Sequence, residues 1–262
     1  MPKIDGVGFG DCTERKILDF QKIISMHMVI TKAVISRNQS LYSNKYHYIE
    51  LTSGKGYTPD GRPGSPLIFL EEANNRLESI DFYADFIECE LKNINELRTS
   101  LVIMQKNGNW KVNNWYFHCG KYQEEIPKLL VNKSNELGLI FIDHSGDMPD
   151  LKTIQYLAEM RPKMEILLYL SSTNIKRSLQ YTDMRLVEFI NNIGKKNWLV
   201  RKPINWDQHK WTFLLGSNAP NLFKDYKSIN FFQVKSHIGQ GIIEGLNFTK
   251  KEQLEALQPK LF

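Results

Sequence analysis

Tyr48-Ile49-Glu50-Leu51-Thr52-Ser53-Gly54-Lys55-Gly56 is an apolar run that ends in an acid and opens into a loop with two glycines one residue apart. A second glycine turn, Gly61-Arg62-Pro63-Gly64-Ser65-Pro66-Leu67, leads into the apolar Leu67-Ile68-Phe69-Leu70. This is the pattern of a buried parallel strand that delivers backbone to a small ligand at its carboxyl end. Glycine lets the backbone approach where a Cβ would collide. The acid can accept hydrogen bonds from a polar ligand group or pair with a cationic one. The stretch lacks the third glycine of a dinucleotide fingerprint and the Gly-Lys-Ser/Thr ending of a P-loop, and Lys55 lies between the glycines.

Further chemistry-bearing residues recur at the ends of the next apolar runs: Glu88-Cys89-Glu90, then His118-Cys119-Gly120-Lys121, then Asp143-His144-Ser145-Gly146-Asp147, then Ser171-Ser172-Thr173-Asn174. Alternation of such runs with helical patterns explains the spacing. Strands are expected at 46–51, 80–88, 115–118, 137–142 and 165–170, and helices at 66–77, 91–101, 123–131, 149–160 and 182–194. Ser65-Pro66 reads as a cap followed by a first-turn proline. Two later strands are expected at 211–218 and 229–234, which makes seven. Strands alternating with helices imply a mostly parallel sheet covered on both faces, and right-handed crossovers make it a doubly wound α/β fold. A long amphipathic helix at about 13–37 precedes the first strand, and a short extension at about 236–262 follows the last. No linker divides the chain, so the expectation is a single domain over 1–262.

In an open doubly wound sheet, ligands bind outside the carboxyl ends of the strands, at the switch point beside the first strand. That rule selects Glu50, Ser53, Gly54 and Gly56 around the first strand, and Glu88 at the tip of the second; Ser65, in the second glycine turn, is a further cofactor-binding candidate. A carboxylate in the second position accepts the protons of a ribose diol. The alternative for Glu88 is a solvated strand end.

Composition narrows the classes. The chain has 262 residues, 42% of them hydrophobic and 24% charged, with net charge +5. It is mildly basic, a balance compatible with a nucleic-acid partner that does not require one. No apolar run approaches bilayer-spanning length, and Met1-Pro2-Lys3-Ile4-Asp5-Gly6 carries no signal-peptide core, so no membrane association and a cytoplasmic location are expected. Cys12, Cys89 and Cys119 are scattered, as are the six histidines, so neither a disulfide framework nor a metal site is expected.

These motifs, taken in order, resemble class I, Rossmann-like S-adenosylmethionine-dependent methyltransferases, and within them are most similar to the three-Cys-motif partner proteins. The resemblance runs over roughly 13–218. It rests on the acid and glycine loop at 48–56, on Gly61-x-x-Gly64-Ser65-Pro66-Leu67, on Phe86-Ile87-Glu88-Cys89-Glu90, on Gly120-Lys121-Tyr122-Gln123 with Ile126-Pro127, and on Ile140-Phe141-Ile142-Asp143 with Gly146. It implies S-adenosylmethionine as cofactor. Glu50 and the Gly54/Gly56 loop would face its methionine end, Glu88 its ribose, and Gly120-Lys121-Tyr122 its adenine. Asp143 would sit near the transferred methyl group, with His144 as a candidate base.

The chain departs from that pattern at two places. Lys121 stands where the family usually has Asp. Asp143-His144-Ser145-Gly146 stands where relatives read Asp-Pro-aromatic-Gly, so the acid and the glycine remain without the proline and the ring. No Pro-Cys pair is present, which disfavours cytosine C5 chemistry with a cysteine nucleophile. Two readings stay open. One is a methyltransferase, with nucleic acid as a candidate substrate and a bacterial defence or modification system as a candidate setting. The other is a catalytically divergent subunit of the same fold that binds cofactor or a partner protein encoded nearby. For nucleic acid, basic residues at Lys195-Lys196, Arg201-Lys202, Lys224, Lys227 and Lys235 interleave with Trp198, Trp206, Trp211, Phe223, Tyr226, Phe231 and Phe232. Such interleaving suits phosphate contact and base stacking. The alternative is that several of these rings fill the core.

Overall fold

The computed structural model describes residues 11–108, 114–144, 146–182, 184–206, 209–220 and 223–247. In chain order the elements are α1 (Asp11–Arg37), β1 (Lys45–Glu50), α2 (Ser65–Arg76), β2 (Asp81–Glu88), α3 (Leu91–Gly108), β3 (Trp115–Cys119), α4 (Tyr122–Leu129), β4 (Leu137–Ile142), α5 (Leu151–Met160), β5 (Glu165–Ser171), α6 (Ser172–Thr182), α7 (Leu186–Asn192), β6 (Asn197–Arg201), β7 (Ile204–Trp206), β8 (His209–Ser217), α8 (Phe223–Tyr226), β9 (Phe231–Gln233) and α9 (His237–Asn247). The fold is mixed α/β with a central, mostly parallel sheet. Eight strands make up its order, with the short β7 paired on β8 beside them. This corrects the expected seven. The additions, β6 and β7, lie in the stretch read from sequence as a basic and aromatic cluster.

The chain divides into two compact units, one of 1–131 with 135–140 and one of 132–134 with 141–262. In the first unit the strands lie in the order β3-β2-β1-β4. β1 and β2 run parallel from Lys45 opposite Asp81 to Glu50 opposite Phe86. β2 and β3 run parallel from Ala84 opposite Trp115 to Glu88 opposite Cys119. Side chains alternate across a strand. Tyr46, Tyr48 and Glu50 therefore share one face of β1, and His47 takes the other. On the first face the Phe69 ring of α2 stacks on Tyr48 at 3.8 Å, with Tyr46 at 6.2 Å and Phe82 at 6.0 Å. Burying one such ring stabilises the fold by about 1.5–3 kcal/mol. The α1 helix joins this face through a 2.7 Å hydrogen bond between the Tyr46 hydroxyl and His27 Nδ1.

The second unit is antiparallel beyond β5. Its order is β5-β8-β6-β9. Ile166 lies opposite Gly216 in the β5–β8 pair, and Trp198 opposite Gly216 in the β6–β8 pair. A Cβ on Gly216 would stand 2.6 Å from the Trp198 ring, so the glycine makes room for the indole. The α5 helix is capped by Asp150, whose carboxylate accepts from the Thr153 N–H at 2.8 Å, as an N-cap should. Gly194, at φ +86°, follows α7 as its left-handed stop. Among the described residues no helix is long and apolar enough to cross a membrane.

Candidate functional site

All nine residues selected for a cofactor lie in the first unit, while Asp143 and His144 belong to the second. At the tip of β1, Glu50 is fully buried. Its carboxylate accepts from the Tyr48 hydroxyl at 3.0 Å and from Ser65 Oγ at 2.5 Å. A buried carboxylate needs such donors to offset its desolvation. Ser65, expected as a helix cap, thus turns its side chain to Glu50, and the N-cap of α2 is Gly64. Tyr48 was missed in the sequence reading. Its signal was its place two residues before Glu50, on the same strand face.

The glycine loop is built from backbone. Ser53 N–H donates to the Ile87 carbonyl at 2.9 Å, tying the start of the loop to β2. Gly54 and Gly56 adopt φ +65° and +92°, which L side chains rarely take. Gly64 N–H donates to the Gly56 carbonyl at 2.6 Å. A Cβ on Gly64 would come within 2.7 Å of that oxygen, so the two glycine turns close on each other only without one. A Cβ on Gly54 would meet nothing within 4 Å.

Glu88 joins the two strand tips. It is 8% exposed. Its Oε2 accepts from Gly54 N–H at 2.9 Å and its Oε1 from Glu90 N–H at 3.0 Å. Asn93 Nδ2 and Cys89 Sγ approach Oε1 more loosely, each at 3.4 Å. An ionised carboxylate has about four acceptor sites. The two short bonds fix its plane, and the two long ones are weak enough to give way to a ligand hydroxyl. Burial, then Glu88 and Glu90, push the Cys89 thiol up, so this sulfur remains a protonated donor. Gly120 N–H continues the tie by donating to the Glu88 carbonyl at 3.0 Å. Lys121 is the N-cap of α4 and its side chain is exposed. Tyr122, by contrast, is buried at the start of that helix.

In the second unit the segment after β4 is held by α6, a helix the sequence reading did not find. Asn174 Nδ2 donates to the His144 carbonyl at 3.4 Å, and an Arg177 guanidinium N–H donates to the Gly146 carbonyl at 2.9 Å. Arg177 also pairs with Asp147 at 3.6 Å. Burial lowers His144 from the ordinary imidazole range, while Asp147 and Asp143 act to raise it. Its neutral, basic form is therefore the one present at pH 7.

No family model matches the chain. No curated protein matches it either. Solved structures do. A Legionella pneumophila protein of the family DUF519 matches with TM-score 0.50 and 16% identity, over 87% of this chain and 93% of that one. The likeness is one of fold. An arsenic(III) S-adenosylmethionine methyltransferase from Chlamydomonas reinhardtii matches with TM-score 0.48 and 7% identity, over 67% of this chain and 64% of its own. Spermidine synthase from Thermotoga maritima matches with TM-score 0.43 and 13% identity, over 88% and 74%.

Of the basic and aromatic residues that suggested nucleic acid, several are structural. Lys195 is buried with its ammonium on the carbonyls of Met164, Arg161 and Pro162 at 2.7, 3.1 and 3.3 Å. Arg201, Trp198, Tyr226 and Phe231 are buried too. Lys196, Lys202, Lys227 and Lys235 are exposed, and Trp211 and Phe232 are half-buried. The side chains of Trp206, Phe223 and Lys224 lie outside the described residues.

Proposed function

We propose that the chain binds S-adenosylmethionine in its first unit and acts as a methyltransferase. The observation that carries this reading is the clasp between Glu88 and Gly54. A buried carboxylate at the tip of β2 is held in one plane by the backbone of a glycine loop at the tip of β1. The fit is chemical as well as positional. Glu88 retains weakly engaged acceptor capacity for a diol, and Gly54 leaves space where a Cβ would stand. Glu88 would hold the ribose and the Gly54–Gly56 backbone the methionine end, with Glu50 bonded to Ser65 beside Gly64, whose N–H donates to the Gly56 carbonyl. The sulfonium supplies the driving force for transfer, so the chain's task is positioning. Asp143 would orient the acceptor, and the neutral imidazole of His144 would take its proton. Nucleic acid is the acceptor class we favour, with Lys196, Lys202, Lys227 and Lys235 as the exposed basic groups. The three-Cys-motif partner proteins are the family the motifs most resemble.

One observation favours the second reading, a fold-retaining subunit without transfer. In loops that polarise an acceptor amine, a backbone carbonyl beside the acid does part of the work. Here the His144 and Gly146 carbonyls accept from Asn174 and Arg177.

Titration calorimetry with S-adenosylmethionine and S-adenosylhomocysteine tests the cofactor site. Wild type should bind both, and Glu88→Gln should weaken binding at least tenfold. Equal binding by wild type and variant, or none by wild type, would remove the proposal. Turnover on oligonucleotides that is lost in Asp143→Ala, with binding kept, separates the enzyme from the subunit.

A further inference from the structure

We infer that the second unit holds a binding site of its own, a groove along α9 that takes a small aliphatic carboxylate, with its chain on the helix and its head paired with Lys202 and Lys210. The groove has a volume of about 290 Å³. Ligand pockets run from about 300 to 1,000 Å³, so this one suits a small ligand. Its lining comes from α9, from the turn between β6 and β7 and from β8, all within the second unit. No residue of the glycine loop or of the β2 tip takes part, so the inference stands or falls independently of the cofactor reading.

The helix supplies the apolar wall. On one face of α9, Gly239, Ile243 and Leu246 are buried. A Cβ on Gly239 would stand 2.0 Å from the Gln233 carbonyl oxygen, so that glycine is needed where the helix meets β9. The neighbouring face carries Ile238, Gly241, Ile242 and Gly245 at helical spacing. No such contact accounts for Gly241 and Gly245, since a Cβ on either would meet nothing within 4 Å. Glycine is among the poorest helix formers, and here the two leave open the space in which side chains would stand. Ile238, at the start of this face, is 55% exposed. Pro203 adds apolar surface from the β6–β7 turn.

Charge selects the occupant. Lys202 and Lys210 are the charged residues of the lining, and none of the described residues there is acidic or aromatic. Both backbones are tied down. Lys202 N–H donates to the Asn230 carbonyl at 2.9 Å, and Lys210 N–H donates to Ser172 Oγ at 3.3 Å. Glu244 of the same helix is exposed and stands outside the lining. Two ammonium groups beside an apolar wall complement an anion with an apolar body, and a carboxylate has acceptor sites for both. Single-stranded nucleic acid gains affinity from rings on which its bases stack. The groove offers none, so an aliphatic body fits it better than a nucleobase. From Ile238 to Leu246 the helix advances about 12 Å, the reach of a medium-chain acyl group.

Titration calorimetry of the full chain with sodium decanoate tests the site. Decanoate should bind with a dissociation constant of about 1–100 μM. Butyrate should bind roughly a hundredfold more weakly or worse, since each buried methylene is worth up to about fourfold. Decylammonium, with the same chain and the opposite charge, should bind roughly tenfold more weakly than decanoate. Lys202→Gln combined with Lys210→Gln should weaken decanoate by roughly the same factor. Gly241→Leu should block the groove and leave the thermal midpoint unchanged or higher, and Gly245→Leu replaces it if that variant does not fold. A single-stranded oligonucleotide should leave the decanoate titration unchanged. Absence of decanoate binding overturns the inference. So does binding indifferent to chain length, to head charge or to the folded variants. Displacement by the oligonucleotide overturns it too, and would assign the groove to nucleic acid.

Discussion

Two imidazoles share one carboxylate on the face of the first unit's sheet opposite Phe69. Asp85 of β2 accepts from His118 Nε2 through Oδ1 and from His47 Nε2 through Oδ2, both at 2.8 Å. His47 turns its Nδ1 toward Glu136 at 3.3 Å, and the Tyr83 hydroxyl donates to that same glutamate. Burial by itself would raise Asp85. The hydrogen bonds from His118 and His47, with their charges, outweigh it and hold the carboxyl below its ordinary 3.8. In the unfolded chain the carboxyl takes up a proton near 3.8, while in the folded chain it does so only at lower pH. The stabilisation is therefore complete above about pH 4 and is lost as pH falls through the folded value. Asp85→Asn should cost about 1–3 kcal/mol at pH 7, since one imidazole then faces an amide NH₂. Urea unfolding at pH 7 and pH 3 checks it: the gap between wild type and variant should narrow at pH 3. The sequence held no local sign of this cluster, because His47, Asp85 and His118 are far apart in the chain. They meet only through the β1–β2 and β2–β3 registers.

At the scale of elements, legibility followed local signal. β4 is Leu137–Ile142, the span expected from its unbroken apolar run. β1, β2, β3 and β5 fall within a residue or two of expectation, since each is apolar and ends at a polar tip. The helix that follows β5 was hidden. Ser171-Ser172-Thr173-Asn174 read as the polar end of the fifth strand, yet α6 starts at Ser172 directly after β5, with no turn residue between them. The helix expected at 182–194 is in fact the end of α6 and then α7, Leu186–Asn192. The α9 helix carries Gly239, Gly241 and Gly245 in eleven residues, and glycine lowers intrinsic helicity by about 1 kcal/mol each. The candidate site was legible where a single strand tip carries it, as at Glu50, Gly54 and Glu88. It was not legible where a donor comes from another element, as with Asn93 on Glu88. Packing between elements sets a sharper demand at Gly138 of β4. A Cβ there would lie 1.8 Å from the His47 carbonyl oxygen of β1. No side-chain motion relieves a clash with backbone, so Gly138→Ala must part the two strands. It should lose several kcal/mol or fail to fold, on the scale of overpacked cores at about 1–3 kcal/mol or more. Thermal melting against a Gly146→Ala control, where a Cβ would meet nothing within 4 Å, separates this clash from the backbone cost of a side chain at positive φ, since Gly138 and Gly146 sit at φ +155° and +101°.

The whole molecule carries net charge +5, and its response to alkaline pH depends on more than that surface charge. Lys195, in the second unit, is buried, and its ammonium rests on three carbonyls. Burial lowers it from 10.5 to about 8, with Glu165 opposing. The unfolded chain keeps this proton up to about pH 10.5, while the folded chain releases it near 8. Between those values the unfolded state binds more protons, so stability rises with pH there and is flat below. Each pKa unit is worth about 1.4 kcal/mol, which puts the rise on the order of 3 kcal/mol. Asp85 has the same sign at the acid end, so both groups favour folding at the higher side of their windows. Titration of exposed lysines over the same range also relieves self-repulsion. Lys195→Met separates the two effects. Its stability at pH 7 should be lower, because three carbonyls lose their donor, and its urea midpoint should rise less than the wild type's between pH 7.5 and pH 10. A rise equal to that of wild type would assign the alkaline gain to surface charge alone.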